Sequence, residues 1–416
     1  MAYFQDTARP ITGSRRVVVT GLGVVSPLAI GCPENANAFR VGRSAFREVD
    51  FFDVSRQRVR TAGIADVPDH CDGIGARAWA RMDRGTRLAT MAAREALESA
   101  GLAVGCDMPA MIGTSAAAMP IGEAYYNEAV TGTADRRRQL QRVETYQAQR
   151  QLGDMLDQLG MHGRLRIISN ACASGANAVG QAFQWVRTGR ADRVLAGGYD
   201  ALCQLVFAGF DSLHALSPSG IPRPFDVGRD GLALGEGAAF LLVESADAAA
   251  ARGAMVWAEI SGYAAGTDVH HLTQPHPDGD AALATMAAAC AMAGVEPSQI
   301  DYLNSHGTGT PLNDVAEARA IERWAVEAVA GVKVSSTKSS IGHLLGGAGA
   351  VESAICLMAI DGQWLPPNLH VREVDPVVKF DLVREPRDAE VARVLTNSFG
   401  FGGANATLLF EKEGAR

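Results

Sequence analysis

Short apolar, β-branched runs alternate along this chain with Ala-rich segments of helical periodicity. Four of these runs lie in the first half, at 16–23, 110–115, 165–169 and 192–198. Their length and composition predict strands, and the apolar run at 165–169 predicts a buried one. Apolar side chains within 86–100 and 176–187 repeat at the spacing of one helix face. Strands that alternate with helices in this way predict a doubly wound α/β protein.

The second half of the chain repeats the order of the first. The hexapeptide LATMAA occurs at 88–93 and again at 283–288, each time inside a predicted helix. Near the end of each half, FGGANATLLFE at 401–411 echoes LGEGAAFLLVE at 234–244. Echoes that recur in the same order indicate an internal duplication.

The duplication predicts two doubly wound halves packed together, residues 1–252 and residues 253–416. The first half carries an additional, mostly helical region at 116–159. In open α/β sheets the ligand site lies beyond the carboxyl ends of the strands. We therefore expect the functional residues to follow strands, where the two halves meet.

A cysteine occupies one such position in the first half. Cys172 stands where the strand at 165–169 turns into the helix at 176–187, within NACASG. The first N–H groups and the positive end of that helix favour a thiolate, so we expect a lowered thiol pKa and a nucleophile. The alternative is a small buried hydrophobic residue in an Ala-rich stretch.

Residues in the second half supply possible partners for this cysteine. His306, Lys338 and His343 each follow a predicted strand, and a Cys with nearby His residues is a known nucleophile arrangement. Taken alone, His306 is also compatible with a turn and His343 with a helix cap. Lys338 precedes an apolar helix, so its ammonium needs a partner there. Glu352, on that helix, is the candidate.

The segment NSFGFGGAN at 397–405 combines three glycines with two phenylalanines. It predicts a flexible loop with bulky apolar gates, whose backbone N–H could pair with that of Cys172 to hold an oxyanion. A phosphate cradle is the rival interpretation, but the Lys-Ser/Thr of a P-loop does not follow.

Composition narrows the classes of function. The chain has 416 residues and a net charge of −8, which disfavours nucleic-acid binding. No uncharged apolar run approaches the roughly 20 residues that span a bilayer, and the seven cysteines lack metal-ligand spacing. We expect a reduced cytoplasmic protein with no metal site and no membrane partner.

Several long motifs in order resemble those of the β-ketoacyl-acyl-carrier-protein synthases of the synthase II type, from about residue 15 to residue 411. They are NACASG at 170–175, RPFD at 223–226 with GEG at 235–237, HGTGTP at 306–311, KSSIGHLLGGAG at 338–349 and NSFGFGGAN at 397–405. The resemblance implies a thiolase-like fold, a five-layer αβαβα sandwich of two duplicated halves. It also implies a decarboxylative Claisen condensation between a Cys-bound acyl chain and malonyl carrier protein, in fatty-acid or type II polyketide or polyene biosynthesis.

The resemblance implies a role for each candidate residue. Cys172 is the nucleophile, His306 and His343 stabilise the enolate, and Lys338, paired with Glu352, orients His306. The N–H groups of Cys172 and Phe401 form an oxyanion hole, and the side chains of Phe399 and Phe401 gate the acyl pocket. Thr308 and Thr310 contact phosphopantetheine. Ala116 lines the acyl pocket. No resident cofactor is implied, because phosphopantetheine arrives on the carrier protein.

The resemblance also implies a partner subunit. The family forms homodimers, or heterodimers with a ketosynthase-like subunit. A non-catalytic chain-length factor is the alternative from another class, but such subunits usually lack the cysteine that is present here. A thiolase is the enzyme alternative, but it typically uses a second Cys near 395–407, where this chain has none.

An acidic carrier protein that meets a protein of net charge −8 needs a local basic patch. Arg77, Arg81 and Arg84 have the i, i+4, i+7 spacing of one helix face and are the predicted docking site. A solvated helix face is the alternative interpretation. Three further arginines, at 136–138, are the second candidate site.

Overall fold

The structure is a computed structural model that describes residues 14–102, 105–132 and 143–415. The arginines at 136–138 lie outside these residues. The strands are β1 (Val17–Ser26), β2 (Ala29–Ile30), β3 (Arg47–Glu48), β4 (Thr61–Ala62), β5 (Ala110–Gly113), β6 (Leu165–Ile168), β7 (Arg193–Asp200), β8 (Gly237–Ser245), β9 (Ala258–Thr267), β10 (Tyr302–Asn304), β11 (Lys333–Ser335), β12 (Trp364–Leu365), β13 (Asp381–Leu382), β14 (Arg387–Asp388), β15 (Arg393–Phe399) and β16 (Ala404–Glu411).

The α-helices connect these strands or pack on them. They are α1 (Cys32–Arg40), α2 (Ala76–Trp79), α3 (Arg84–Ser99), α4 (Met119–Thr131), α5 (Ala148–Gln158), α6 (Ser174–Arg187), α7 (Gln204–Ser212), α8 (Ala246–Ala251), α9 (Asp280–Ala293), α10 (Pro311–Ala325), α11 (Lys338–Ile341) and α12 (Ala348–Gly362). Short 3-10 turns lie at Pro297–Gln299, Val326–Gly331, Leu345–Gly347 and Phe401–Gly403.

The two halves have the same sheet topology. The strand order is β1-β8-β7-β5-β6 in the first half and β9-β16-β15-β10-β11 in the second, with β13 beyond β11. In both halves the third, fourth and fifth strands run parallel, whereas the first three strands pair as antiparallel neighbours; β13 is parallel to β11. The half-sheets join where β1 pairs with β9 over two residues. Each sheet is therefore mixed, and the duplication extends to strand direction.

The helices complete a layered sandwich. Helices α6 and α12 lie in the middle and contact strands of both half-sheets, while α3 and α9 cover the outer faces. Every residue from Ala348 to Ile360 of α12 is buried, which fits its almost wholly apolar sequence. The segment Leu345–Gly362 is long and apolar enough to cross a membrane, but most of it is buried inside the protein.

The strand expected at 165–169 is present as β6, but within the single chain it is not buried. Strand β6 forms the end of its half-sheet, and its residues are half-buried or exposed. Helices α5 and α6 both pack on it, and in the described part of the chain it pairs with β5 alone. An apolar run of four residues does not distinguish a buried strand from one at the end of a sheet.

Candidate active site

The nucleophile candidate lies at a tight turn between β6 and α6. Ala171, directly before Cys172, has a left-handed backbone with φ 55°. Its carbonyl oxygen accepts a hydrogen bond of 2.6 Å from the Ser174 hydroxyl, which also accepts one of 2.9 Å from the N–H of Asn170. These bonds fix the elbow that carries the thiol.

Burial dominates the electrostatics of this thiol. Cys172 is 7% exposed, and burial raises the pKa of its thiol to about 11. The Lys338 ammonium and a hydrogen bond from the Phe401 N–H act in the opposite direction and lower the pKa. The expectation of a lowered pKa is therefore wrong, because loss of solvent outweighs the helix terminus and the nearby positive charge. The resting site holds a thiol.

Two histidines lie side by side near the carboxyl end of β10 and after α11. The rings of His306 and His343 are 5.3 Å apart between centroids and nearly perpendicular. Both residues are buried, and burial together with the Lys338 charge lowers each pKa well below the ordinary value. Both imidazoles are consequently neutral at pH 7, so each has one N–H to donate.

A buried ion pair lies behind the histidines. Lys338 Nζ donates a hydrogen bond to Glu352 Oε1, and both side chains are 2% exposed. Burial raises the pKa of Glu352 above its ordinary value, and the Lys338 charge limits that rise. The pair thus places a compensated positive charge next to Cys172 and both histidines.

A second acidic residue, which sequence reasoning missed, holds the His306 loop. The N–H groups of His306 and Gly307 each donate a 2.8 Å hydrogen bond to Glu317 on α10. Asn397 donates to the same carboxylate, and burial raises the pKa of Glu317 to about 7. The available signal was a pair of acidic residues, Asp314 and Glu317, three apart at the start of a helix after a Gly-rich loop.

The glycine-rich loop after β15 closes over the elbow. A Cβ on Gly400 would lie 3.1 Å from the backbone nitrogen of Cys172, so the loop packs directly on the Cys172 backbone. The Phe401 ring stacks on Phe210 with centroids 5.8 Å apart, and Phe399 lies 5.4 Å from the His306 ring. The two phenylalanines therefore border the space in front of the thiol.

These residues share one cavity of about 400 Å³. Cys172, His306 and His343 line its inner end, and Thr308 and Thr310 lie along its wall with their hydroxyl oxygens 2.8 Å apart. The other side chains that line it include Phe210, Leu213, His214, Leu272, Leu312, Phe399 and Phe401. Its exposed end is mixed, with Leu272 and Leu312 beside the polar His271 and Gln274, whereas Cys172, His306 and His343 at its other end are buried.

The sequence matches known proteins over almost its whole length. Residues 14–249 match the N-terminal domain of β-ketoacyl synthases, and residues 257–372 match the C-terminal domain. The chain belongs to the β-ketoacyl synthase family. It is 36% identical to a 3-oxoacyl-[acyl-carrier-protein] synthase 2 of Staphylococcus aureus strain N315, over 96% of this chain and 99% of that one.

Solved structures of ketosynthases have the same fold as this β-ketoacyl synthase. The ishigamide ketosynthase/chain length factor superimposes with a TM-score of 0.88 at 34% identity, over 97% of this chain and 100% of that one. The ketosynthase of the AntDE:AntF complex, a type II polyketide synthase with its acyl-carrier protein, gives 0.87 at 28% identity, over 96% and 100%. The expected thiolase-like fold is therefore confirmed.

Ala116, expected in the acyl pocket of the synthase, is not among the residues that line the 400 Å³ cavity. It is 5% exposed and belongs to an apolar cluster with Leu202, Cys203 and Phe207. An acyl pocket at this position would therefore extend behind the passage that contains the thiol. The role of Ala116 stays a prediction.

The predicted docking helix is corrected in two respects. Arg77 lies in α2, Arg81 lies between helices and Arg84 begins α3, so the three arginines do not share a helix face. Arg84 Nε donates 2.9 Å hydrogen bonds to both carboxylate oxygens of Glu236, which is fully buried. Arg84 is therefore a structural residue, whereas Arg77 and Arg81 are exposed. The i, i+4, i+7 spacing was misleading because a turn interrupts the helix.

Within the described ranges, no group of three or more His, Cys, Asp and Glu side chains is arranged to hold a metal ion.

Proposed function

We propose that the protein condenses an acyl chain on Cys172 with malonyl carrier protein, releasing CO₂ and a β-ketoacyl carrier protein. The observation that carries this proposal is the meeting of Cys172 and two neutral, buried histidines at the end of one cavity. Residues 1–252 contribute the nucleophile, and residues 253–416 contribute His306, His343, Lys338 and the glycine-rich loop.

Acyl loading exchanges one thioester for another. The Cys172 sulfur attacks the carbonyl of the incoming acyl thioester, and its proton leaves with the departing pantetheine thiol. The N–H groups of Cys172 and Phe401 receive the oxyanion that forms between these steps. The contact between the Phe401 N–H and the thiol supports this arrangement. The raised thiol pKa implies that deprotonation accompanies attack.

The histidines act in the second half-reaction. The malonyl carboxylate leaves as CO₂, and its bonding electrons form an enolate whose oxygen accepts hydrogen bonds from His306 and His343. The enolate carbon attacks the acyl-Cys172 carbonyl, and the cysteine departs as a thiolate and takes up one proton. Burial, together with the Lys338 charge, keeps both imidazoles neutral, and Lys338, balanced by Glu352, supplies a positive field for the developing charge.

Thr308 and Thr310 line the passage through which a phosphopantetheine arm would reach the thiol, and we assign them to bind it. Phe399 and Phe401 would gate the entrance to the acyl pocket. No resident cofactor is needed, because the arm belongs to the carrier protein. A carrier protein is also part of the AntDE:AntF structure, which supports this partner. We assign docking to the exposed Arg77 and Arg81.

We further propose a cytoplasmic dimer. The half-exposed edge strand β6 and the helix α4, none of whose residues is buried, offer a surface for a second subunit. The subunit is a second copy of this chain or a ketosynthase-like partner, and the name of the ishigamide ketosynthase/chain length factor points to such a pairing in that protein. A non-catalytic role for this chain is less well supported, because Cys172, His306 and His343 converge.

The test is a complete condensation with defined substrates. The purified protein is incubated with octanoyl carrier protein and malonyl carrier protein, and the carrier-bound products are identified by mass spectrometry. We expect a β-ketodecanoyl product and one CO₂ for each product formed, both absent with Cys172→Ala. Malonyl consumption without a carbon–carbon bond, over a range of acyl lengths, would contradict the proposal.

A further inference from the structure

A buried carboxylate that does not line the cavity joins the two sides of the site. Asp200 ends strand β7 and is 0% exposed. Its two oxygens accept five hydrogen bonds, from the Thr114 hydroxyl at 2.6 Å and from the N–H groups of Ser115 at 2.8 Å, Ala116 at 2.9 Å, Ala117 at 3.1 Å and Gly346 at 2.7 Å.

All five partners of Asp200 donate. A proton on the carboxyl group would have to face one of these donors, so the arrangement fits the ionised form. Burial raises the pKa of Asp200 above its ordinary value, and the hydrogen bonds from Thr114 and the N–H groups limit that rise. An asparagine would not keep all five hydrogen bonds, because its amide NH₂ would face N–H groups and cannot accept from them.

On one side, Asp200 reaches the nucleophile. It fixes the loop 114–117 after β5, and Ser115 in that loop donates a 2.8 Å hydrogen bond to the carbonyl oxygen of Ala171. Ala171 is the left-handed residue directly before Cys172. The carboxylate therefore helps to hold the elbow in a backbone conformation that costs free energy.

On the other side, Asp200 reaches the His343 turn. Gly346 lies three residues after His343, and its N–H points at Asp200 Oδ2. A Cβ on Gly346 would lie 2.5 Å from the Ser115 nitrogen and 2.8 Å from Asp200 Oδ2. The two segments thus touch, with the carboxylate between them.

We propose that Asp200 is a positioning residue for the condensation, one that fixes the Cys172 elbow and the His343 turn in a single geometry. This inference rests on the proposed function for its kinetic consequences. The contacts themselves connect a nucleophile from the first half to a histidine from the second. A misplacement of about 1 Å between such groups costs up to about 100-fold in rate.

Asp200 has a second, separable effect on the nucleophile. Its negative charge raises the pKa of Cys172, as does that of Glu352, whereas Lys338 lowers it. Removal of the Asp200 charge should shift the titration of the thiol to lower pH. A residue that only supports the fold would not have this effect.

The experiment compares three variants with the full-length wild-type protein. Asp200→Asn removes the charge, Asp200→Glu keeps it, and Asp301→Asn is the matched control. Asp301 likewise accepts hydrogen bonds from main-chain N–H groups, those of Ala392 and Arg393. It precedes β10 and so lies at the amino end of that strand, whereas His306 follows the carboxyl end. Alkylation of Cys172 by iodoacetamide is measured against pH, and acyl loading and malonyl decarboxylation are measured separately.

For Asp200→Asn we expect an alkylation profile displaced to lower pH and both half-reactions slowed at least about tenfold, with KM little changed. Asp200→Glu should keep the wild-type profile and recover part of the rate, and Asp301→Asn should match wild type. An unchanged alkylation profile, or an equal loss in Asp301→Asn, would overturn the inference. The alkylation result does not depend on the proposed reaction, so the two can fail separately.

Ser115→Ala covers the case in which Asp200→Asn does not fold. It removes only the hydrogen bond to the Ala171 carbonyl and leaves the carboxylate paired. We expect slower acyl loading with malonyl decarboxylation nearly unchanged. Equal slowing of both half-reactions, or of neither, would contradict the connection to the elbow.

Discussion

Lys338 Nζ donates a hydrogen bond to Glu352 Oε1 with both side chains almost fully buried. Replacing Lys338 by Met leaves an uncompensated carboxylate in the core. We expect the free energy of unfolding to fall by about 3–5 kcal/mol. Urea unfolding measures this loss.

The double variant Lys338→Met/Glu352→Leu is the control for this pair. It removes both charges, and replacement of both partners of a buried pair is often nearly neutral. We expect it to recover most of the stability lost in the single variant. A single variant as stable as wild type would show that the two groups do not depend on each other.

His306 and His343 should serve decarboxylation more than loading. We expect His306→Ala and His343→Ala each to slow malonyl decarboxylation by at least about 100-fold, the usual cost of a lost transition-state donor. Acyl transfer to Cys172 should remain measurable. The exposed His162 supplies a control, His162→Ala, with wild-type rates. Equal loss of both half-reactions in the two active-site variants would instead indicate a structural role.

The pH dependence of decarboxylation tests the state of these imidazoles. Burial and the Lys338 charge hold both pKa values well below 6.5, so both rings stay neutral as the pH falls from 8 through 6.5. We expect a flat decarboxylation rate over this interval, measured in Cys172→Gln, which cannot be acylated. In Cys172→Gln/Lys338→Met both histidine pKa values should rise, and the rate should begin to fall at higher pH. If the decarboxylation rate of Cys172→Gln, which retains Lys338, fell to half near pH 6.5, the histidines would not be neutral over this interval.

The small side chain of Ala116 should permit long acyl chains. We expect Ala116→Phe to overpack the cluster around Leu202, Cys203 and Phe207 and to shift the preference toward short acyl groups. Rates of acyl loading over a series of chain lengths measure the shift. Ala116→Gly should keep the wild-type profile. If Ala116→Phe kept the wild-type dependence on chain length, Ala116 would not line the acyl pocket.

Arg77 and Arg81 should attract the acidic carrier protein. We expect Arg77→Glu and Arg81→Glu to raise KM for acyl carrier protein at low salt but not KM for a small acyl pantetheine thioester. Arg384, which is also exposed, provides the control Arg384→Glu. Unchanged KM in both variants would place docking elsewhere. Arg84→Glu is unsuitable, because it breaks the ion pair with buried Glu236.

The sequence was most informative about site residues that could be recognised from their residue type and their position after a strand. Cys172, His306 and His343 follow strands in the two repeats, and the shared order of the repeats predicted that the halves would meet. The structure brings these three residues to one cavity. This inference needed only periodicity and the geometry of α/β sheets.

The sequence was least informative where function depends on distant contacts. Glu236 is 152 residues from Arg84, and Asp200 is 146 residues from Gly346, so neither partner is visible in local spacing. The thiol pKa was predicted with the wrong sign for the same reason. A helix terminus can be seen in the sequence, but the burial that outweighs it arises from packing of both halves.

Acylation of Cys172 tests the central claim most directly. The protein is incubated with a carrier protein that bears an acyl group, without malonyl carrier protein. Its intact mass is measured before and after the incubation, and the modified peptide is then sequenced. We predict that wild type gains the mass of one acyl group on the peptide that contains Cys172, and that Cys172→Ala, still folded, gains none. An adduct on the Ala variant, or on another residue of wild type, would contradict the account.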